Sequence, residues 1–205
     1  MSEITQSTPS SQDGDKAALL ELLHLFLERD DRQLISDLNC TLCAGEILQL
    51  EGANGSGKTS LLRVIAGLST HFEGDIFWRG QSLRKQRQGF NAETLYLSHG
   101  AGVKAVLSPR ENLRWAQSMA MHLVQEAEIE AALEKVGLRG YEDSPCHSLS
   151  AGQQRRVNLA RLFLLPAALW ILDEPFTAID KDGVAELEQW IDQQAQAGGA
   201  VILTT

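Results

Sequence analysis

Apolar and polar residues alternate along Glu46-Ile47-Leu48-Gln49-Leu50-Glu51, the period of a half-buried strand. Shortly afterwards the period changes. Thr59-Ser60-Leu61-Leu62-Arg63-Val64-Ile65-Ala66-Gly67 spaces its apolar residues as a helix does and closes on a glycine stop. Further strands are expected near residues 20–27, 36–42 and 74–79, and another ends at Tyr96 and Leu97. Ala168-Leu169-Trp170-Ile171-Leu172 is an unbroken apolar run after Pro166, the pattern of a strand covered on both faces of a parallel sheet. Val201-Ile202-Leu203-Thr204-Thr205 reads as one more strand. Between about residues 105 and 148 the pattern turns helical, with Pro109 opening one helix and residues 126–136 forming another before Gly137. A third is expected over 153–165. No internal repeat interrupts this order.

With 205 residues, 43% of them hydrophobic, the chain can fill one core. Residues 1–16 are rich in Ser, Thr, Gln and Asp and are expected to be disordered, leaving residues 17–205 as the folded domain. No apolar run approaches 18 residues, and the polar N-terminus has no secretory apolar segment. A formal charge of −9 argues against nucleic acid as a general partner. Cys40, Cys43 and Cys146 are too few for a disulfide framework. The Cys40–Cys43 spacing is that of a redox or metal pair, but residues three apart in a strand face opposite sides, and Ala44 stands where haem attachment needs histidine.

The stretch between the first strand and helix carries the chemistry. Gly52-Ala53-Asn54-Gly55-Ser56-Gly57-Lys58-Thr59 is a phosphate-binding loop: its glycines let successive N–H groups point into one concavity at a helix N-terminus, where the dipole favours anions. Lys58 suits the β- and γ-phosphates of ATP as a compact charge, with Ser60 next in the cradle. The Thr59 hydroxyl suits Mg2+. Far downstream, Asp173 and Glu174 follow the apolar run 168–172 at the carboxyl end of the expected parallel strand, where open α/β sheets bind their ligands. Asp173 is placed to hold the metal, and Glu174, pointing elsewhere, to activate water as a general base. Leu149-Ser150-Ala151-Gly152-Gln153 opens the helix at 153–165, whose start offers a second anion site.

The order of these motifs, with Leu172-Asp173-Glu174-Pro175 and Thr177-Ala178-Ile179-Asp180, resembles the nucleotide-binding domains of ABC ATPases over roughly residues 20–205. The resemblance implies an α/β fold of the P-loop NTPase class, with a mixed core sheet flanked by helices and an inserted helical subdomain at about 105–160. It implies a head-to-tail pairing with a second copy of the chain, in which Ser150 and Gly152 reach the ATP held by the partner's loop and Asp180 links the two sites. From Trp170 to Asp180, around the Ser150 motif, and at His99-Gly100-Ala101-Gly102-Val103-Lys104, the chain looks like the branch that serves haem export in cytochrome c maturation. That branch tends to carry histidine at His99, where most ABC domains have glutamine, so His99 is expected to contact water near the metal. The implied partners are integral membrane subunits of a haem exporter, with the chain peripheral on the cytoplasmic side of the cell inner membrane. Another small-substrate ABC transporter, or a soluble ABC ATPase outside transport, stays open.

Two positions depart from the family pattern. The aromatic residue that stacks on adenine falls near Arg29, whose planar guanidinium can lie on a base instead. The switch histidine is expected directly after the strand at 201–205, where the chain ends, so a truncated chain that binds ATP better than it hydrolyses it is the corresponding expectation.

Overall fold

The computed structural model describes residues 5–7, 17–29, 32–100, 102–120 and 124–205. In chain order the strands are β1 (Thr5–Ser7), β2 (Ala18–Arg29), β3 (Arg32–Cys43), β4 (Ile47–Glu51), β5 (Glu73–Trp78), β6 (Gln81–Ser82), β7 (Thr94–Leu97), β8 (Leu169–Leu172) and β9 (Ala200–Thr204). The helices are α1 (Lys58–Ile65), α2 (Arg87–Ala92), α3 (Pro109–Ala120), α4 (Glu126–Lys135), α5 (Ala151–Leu159) and α6 (Lys181–Gln196). They fall into two compact units. The first takes the chain up to Tyr96, with Ala167–Pro175 and Glu188–Thr205; the second takes Leu97–Pro166 and Phe176–Leu187.

In the first unit a sheet runs in the order β1-β4-β9-β8-β7, with β4, β9 and β8 parallel. Every residue of β8 and β9 is buried, which is what a strand covered on both faces requires and why both read as continuous apolar runs. A second sheet, β3-β2-β5-β6, is antiparallel throughout. Leu20, Leu22, Leu25 and Leu27 of its β2 are all 3% exposed or less and pack into one core with Leu61, Leu62 and Ile65 of α1 and Ile171 and Ile202 of the parallel strands. Trp78 and Phe90 close that core edge to face, their rings 5.4 Å apart.

Strands β2 and β3 are longer than the periodicity indicated. The reason is a pair of bulges that reset the alternation: His24 and Asp37 both take left-handed backbone angles, φ 50° and 54°, and the imidazole Nδ1 lies 2.7 Å from the carboxylate. A period of two cannot be followed by eye through such a reset. The helix expected over 153–165 is α5 only to Leu159; a tighter 3-10 turn, Ala160–Phe163, finishes it ahead of Pro166, which has no N–H to continue the ladder and constrains Leu165 before it. Within the stretch expected to be disordered, Thr5–Ser7 pairs antiparallel with β4 as β1, because the polar composition of a tail does not preclude backbone pairing along a sheet edge. The rest of residues 1–16 lies outside the described residues.

The second unit begins at Leu97 and includes 176–187, wider than the 105–160 of the expected helical subdomain. Its helices α3 and α4 are tied by Arg110, which pairs with Glu126, with Glu130 at 3.1 Å and with Asp143 at 2.9 Å. Asn112 seals the preceding turn by donating to the carbonyls of Lys104, Leu107 and Ser108. Cys146 is buried against Asn112, while Cys40 is part-buried in β3, where burial and the nearby Glu46 push its thiol up to about 11. Among the described residues no cluster of His, Cys, Asp and Glu could hold a metal, and no helix is long and apolar enough to cross a membrane.

Candidate functional site

The parallel strands bring three carboxyl ends together. Strand β4 leads into the turn 52–57, β8 ends just before Asp173, and β9, between them, ends at Thr204. The turn needs its last glycine for two reasons. Gly57 has φ 103°, and a Cβ there would lie 2.9 Å from the Cβ of Leu34. From it α1 starts, with no acidic residue in its first turn to compete with an anion and with the first-turn N–H groups lacking partners inside the helix. Ser56 is 5% exposed, and its hydroxyl has no protein partner among the described residues, a donor that an anion oxygen would satisfy. Lys58 is 7% exposed, and its ammonium donates to the Gly52 carbonyl at 2.5 Å, which holds it over the turn.

Asp173 is 1% exposed and accepts from the Thr59 hydroxyl at 3.2 Å and the Thr204 hydroxyl at 3.0 Å. Thr59 and Asp173 therefore stand together as hard oxygen donors, the type that suits a hard divalent cation. The negative charge is felt nearby: burial first, then the Asp173 carboxylate, push the Tyr96 phenol up to about 12, so it stays neutral. Glu174 has φ 46°, a left-handed conformation that is costly for a residue with a side chain. Its N–H donates to the Thr204 hydroxyl at 2.8 Å.

A cavity of about 420 Å³ is lined by Lys58, Thr59, Ser60 and Glu174, by Ala53, Asn54, Gly55 and Gly57 of the turn, and by Arg29, Arg32 and Leu34 of the β2–β3 hairpin. Arg29 and Arg32 are register partners, so two guanidinium groups, not one, belong to this wall. The volume is in the range of sites for drug-sized ligands.

The other residues expected to act lie in the second unit. Ser150 caps α5, accepting from the Gln153 N–H at 3.2 Å while Gln153 returns a bond to the Ser150 N–H. A Cβ on Gly152 would come within 3.1 Å of the Ala178 carbonyl. Asp180 accepts from Gly183 N–H at 2.9 Å and from Arg156 at 3.2 Å, and those contacts hold its carboxyl below the usual range, the Gly183 bond foremost. His99 is exposed, on a loop whose carbonyls at Ser98, His99 and Gly100 accept from one guanidinium, that of Arg155, at 2.8, 3.5 and 3.2 Å.

Sequence reasoning missed Thr204, Arg32, Leu34 and Arg155. Thr204 had a faint signal, as the polar residue at the end of an apolar strand. Arg155, 2% exposed, had none, since a basic residue early in a helix is ordinarily solvated.

A glycine turn between a parallel strand and a helix, facing a buried aspartate on another strand end, defines a P-loop nucleotide-binding protein. The chain belongs to the ABC transporter family, whose profile matches residues 35–177. It is 53% identical over 187 residues to the cytochrome c biogenesis ATP-binding export protein CcmA of Hahella chejuensis, covering 91% of this chain and 88% of the relative. To the CcmA proteins of Yersinia pestis and Pseudomonas fluorescens it is 52% and 51% identical, with 91% of this chain covered in each case and 85% and 88% of the relatives. Its fold superposes with a TM-score of 0.79 on a putative ABC transporter ATP-binding protein from Pyrococcus furiosus, 28% identical, covering 91% of this chain and 90% of that one. A second solved structure, an ATP binding subunit of an ABC transporter, gives 0.80 at 26% identity, covering 91% and 79%. The family expected from the motifs is the family found, and its activity is ATP hydrolysis coupled to transport.

Proposed function

We propose that this chain is the ATP-hydrolysing subunit of an exporter that handles haem for c-type cytochrome biogenesis. The observation that carries the reading is identity of 51–53% with CcmA proteins along nearly the whole of both chains. In this reading the turn 52–57 with Lys58 and Ser60 holds the triphosphate. Thr59 and Asp173 hold Mg2+, which when bound neutralises phosphate charge. Glu174 takes the proton of the attacking water, and His99 orients that water. A second copy of the chain supplies Ser150 and Gly152 to each nucleotide, with Asp180 at the junction. Closure over ATP does work on integral membrane subunits at the cytoplasmic face of the inner membrane, because ATP favours the closed pair over the open one.

Hydrolysis by the chain should rise several-fold when membranes carrying the candidate haem-export subunits are added, and not with membranes lacking them. Turnover indifferent to those membranes would favour a soluble ATPase, and stimulation by the subunits of an unrelated exporter would move the cargo elsewhere.

Arg29 is proposed to lie against the base. Arg29→Ala should weaken ATP binding by about 2- to 10-fold, the worth of one cation–π contact, and leave inorganic triphosphate binding nearly unchanged. Equal ATP affinity in the two proteins would remove Arg29 from the site.

A further inference from the structure

The first unit contains another cavity, of about 320 Å³, that the nucleotide site does not use. Its floor is apolar: Val64 of α1, Ile76 of β5 and Leu83 are 1%, 3% and 8% exposed, and Phe72 adds a ring. Arg84 and Arg87 line the same space. The Arg84 guanidinium lies 5.9 Å from the centroid of the Phe72 ring and donates to the Gly74 carbonyl at 3.4 Å, and Arg87 donates to the Gly67 carbonyl.

These two arginines keep their charge uncompensated. The chain has 27 acidic residues against 18 basic ones, and Arg79, Arg110, Arg114, Arg139 and Arg156 each meet a carboxylate. Among the described residues Arg84 and Arg87 meet none. Their bonds to neutral carbonyls fix the forks without cancelling their charge, and each fork has five N–H donors of which these contacts use one. An apolar chamber edged by two uncompensated guanidinium groups is complementary to a molecule with a hydrocarbon body and an anionic end. Its volume admits on the order of ten non-hydrogen atoms at about 30 Å³ each, too few for a peptide helix.

We propose that this cavity binds a small amphipathic carboxylate, with its body against Val64, Ile76 and Leu83 and its carboxylate on Arg84 and Arg87. The proposal is independent of the transport reading. Val64 in the last turn of α1 lines this cavity and Lys58 in the first turn lines the nucleotide cavity; the two share no lining residue, and a third cavity, with Thr59, Ser60, Val64 and Ser69 in its wall, lies against both along the helix.

The test is calorimetric titration of the ADP-saturated chain with 4-phenylbutyrate and with its neutral analogue 4-phenylbutan-1-ol. The acid should bind at least about 10-fold more tightly than the alcohol, as a charge-assisted contact requires. Arg84→Gln and Arg87→Gln, both at exposed positions, should each weaken the acid by about 5- to 10-fold with the melting temperature unchanged, and Leu83→Trp should block it by filling the chamber. Acid and alcohol binding alike, or acid binding intact in the double arginine variant, would overturn the proposal. So would weakening of the acid as ADP is raised, which would place it on the phosphate loop. A short Leu-Glu-Leu-Leu peptide displacing the acid at 10-fold lower concentration would also overturn it, by reassigning the cavity to a protein partner.

Discussion

Glu174→Gln should bind ATP as the parent chain does and hydrolyse it roughly 10²- to 10⁴-fold more slowly, the worth of a positioned general base. The substitution keeps the length and polarity of the side chain and removes only its capacity to accept a proton. The backbone that presents it is set independently, by the left-handed turn at φ 46° and by the bond from its N–H to the Thr204 hydroxyl, and neither involves the carboxylate. Loss of turnover with retained affinity would place the proton transfer at this residue. Single-turnover hydrolysis with nucleotide affinity measured in parallel separates the two effects. Turnover within about 10-fold of the parent would assign the base elsewhere.

The largest stability effect is expected at Gly74→Ala. Gly74 lies in β5 opposite the bulge of β2, where the register jumps between Leu23 and Phe26. Its φ is 98°, and an added Cβ would sit 2.3 Å from the His24 carbonyl oxygen and 2.6 Å from that of Leu23. Both neighbours are backbone held in a hydrogen-bonded sheet and cannot swing away, so strand pairing must give. A loss of about 3–5 kcal/mol follows, which lowers the melting temperature by roughly 6–20 °C in a domain of this size. Gly80→Ala is the matched control. Its φ of 73° imposes the same kind of conformational strain, but nothing lies within 4 Å of its Cβ, so its cost should stay near 1–2 kcal/mol, roughly the strain alone. Thermal unfolding of the two variants side by side decides the matter, and equal shifts would mean that the close approach of His24 carries no cost.

These two residues mark how far the sequence could be read. Lys58, Thr59 and the turn before them were legible because the glycine spacing that lets the backbone curl is local to residues 52–59, and the period change from strand to helix encloses it. Ser150 was legible for the same reason: a capping box is a contact between Ser150 and Gln153. Asp173 and Glu174 were legible as carboxylates at the end of an apolar strand. The bulges at His24 and Asp37 and the short helix α2 with one buried aromatic carry no such local mark, whereas the long helix α6 carries a helical one at Leu187, Trp190, Ile191 and Ala195 that was overlooked.

The chain's local order thus determined a strand, glycine turn and helix, a capped helix at Ser150 and a pair of carboxylates after a buried strand. The tertiary structure alone decided which distant residues join each of them. Parallel pairing inserts β9 between β4 and β8, and so brings the Thr204 hydroxyl to both Asp173 and Glu174. The hairpin of β2 and β3 adds Arg32 beside Arg29 and packs Leu34 under Gly57, and a buried Arg155 gathers three carbonyls of the His99 loop. The physical reason is one of range. Periodicity and capping act between residues a few positions apart, whereas sheet pairing and buried side-chain bonds join residues far apart in sequence, and their partners exist only after the strands have found their order.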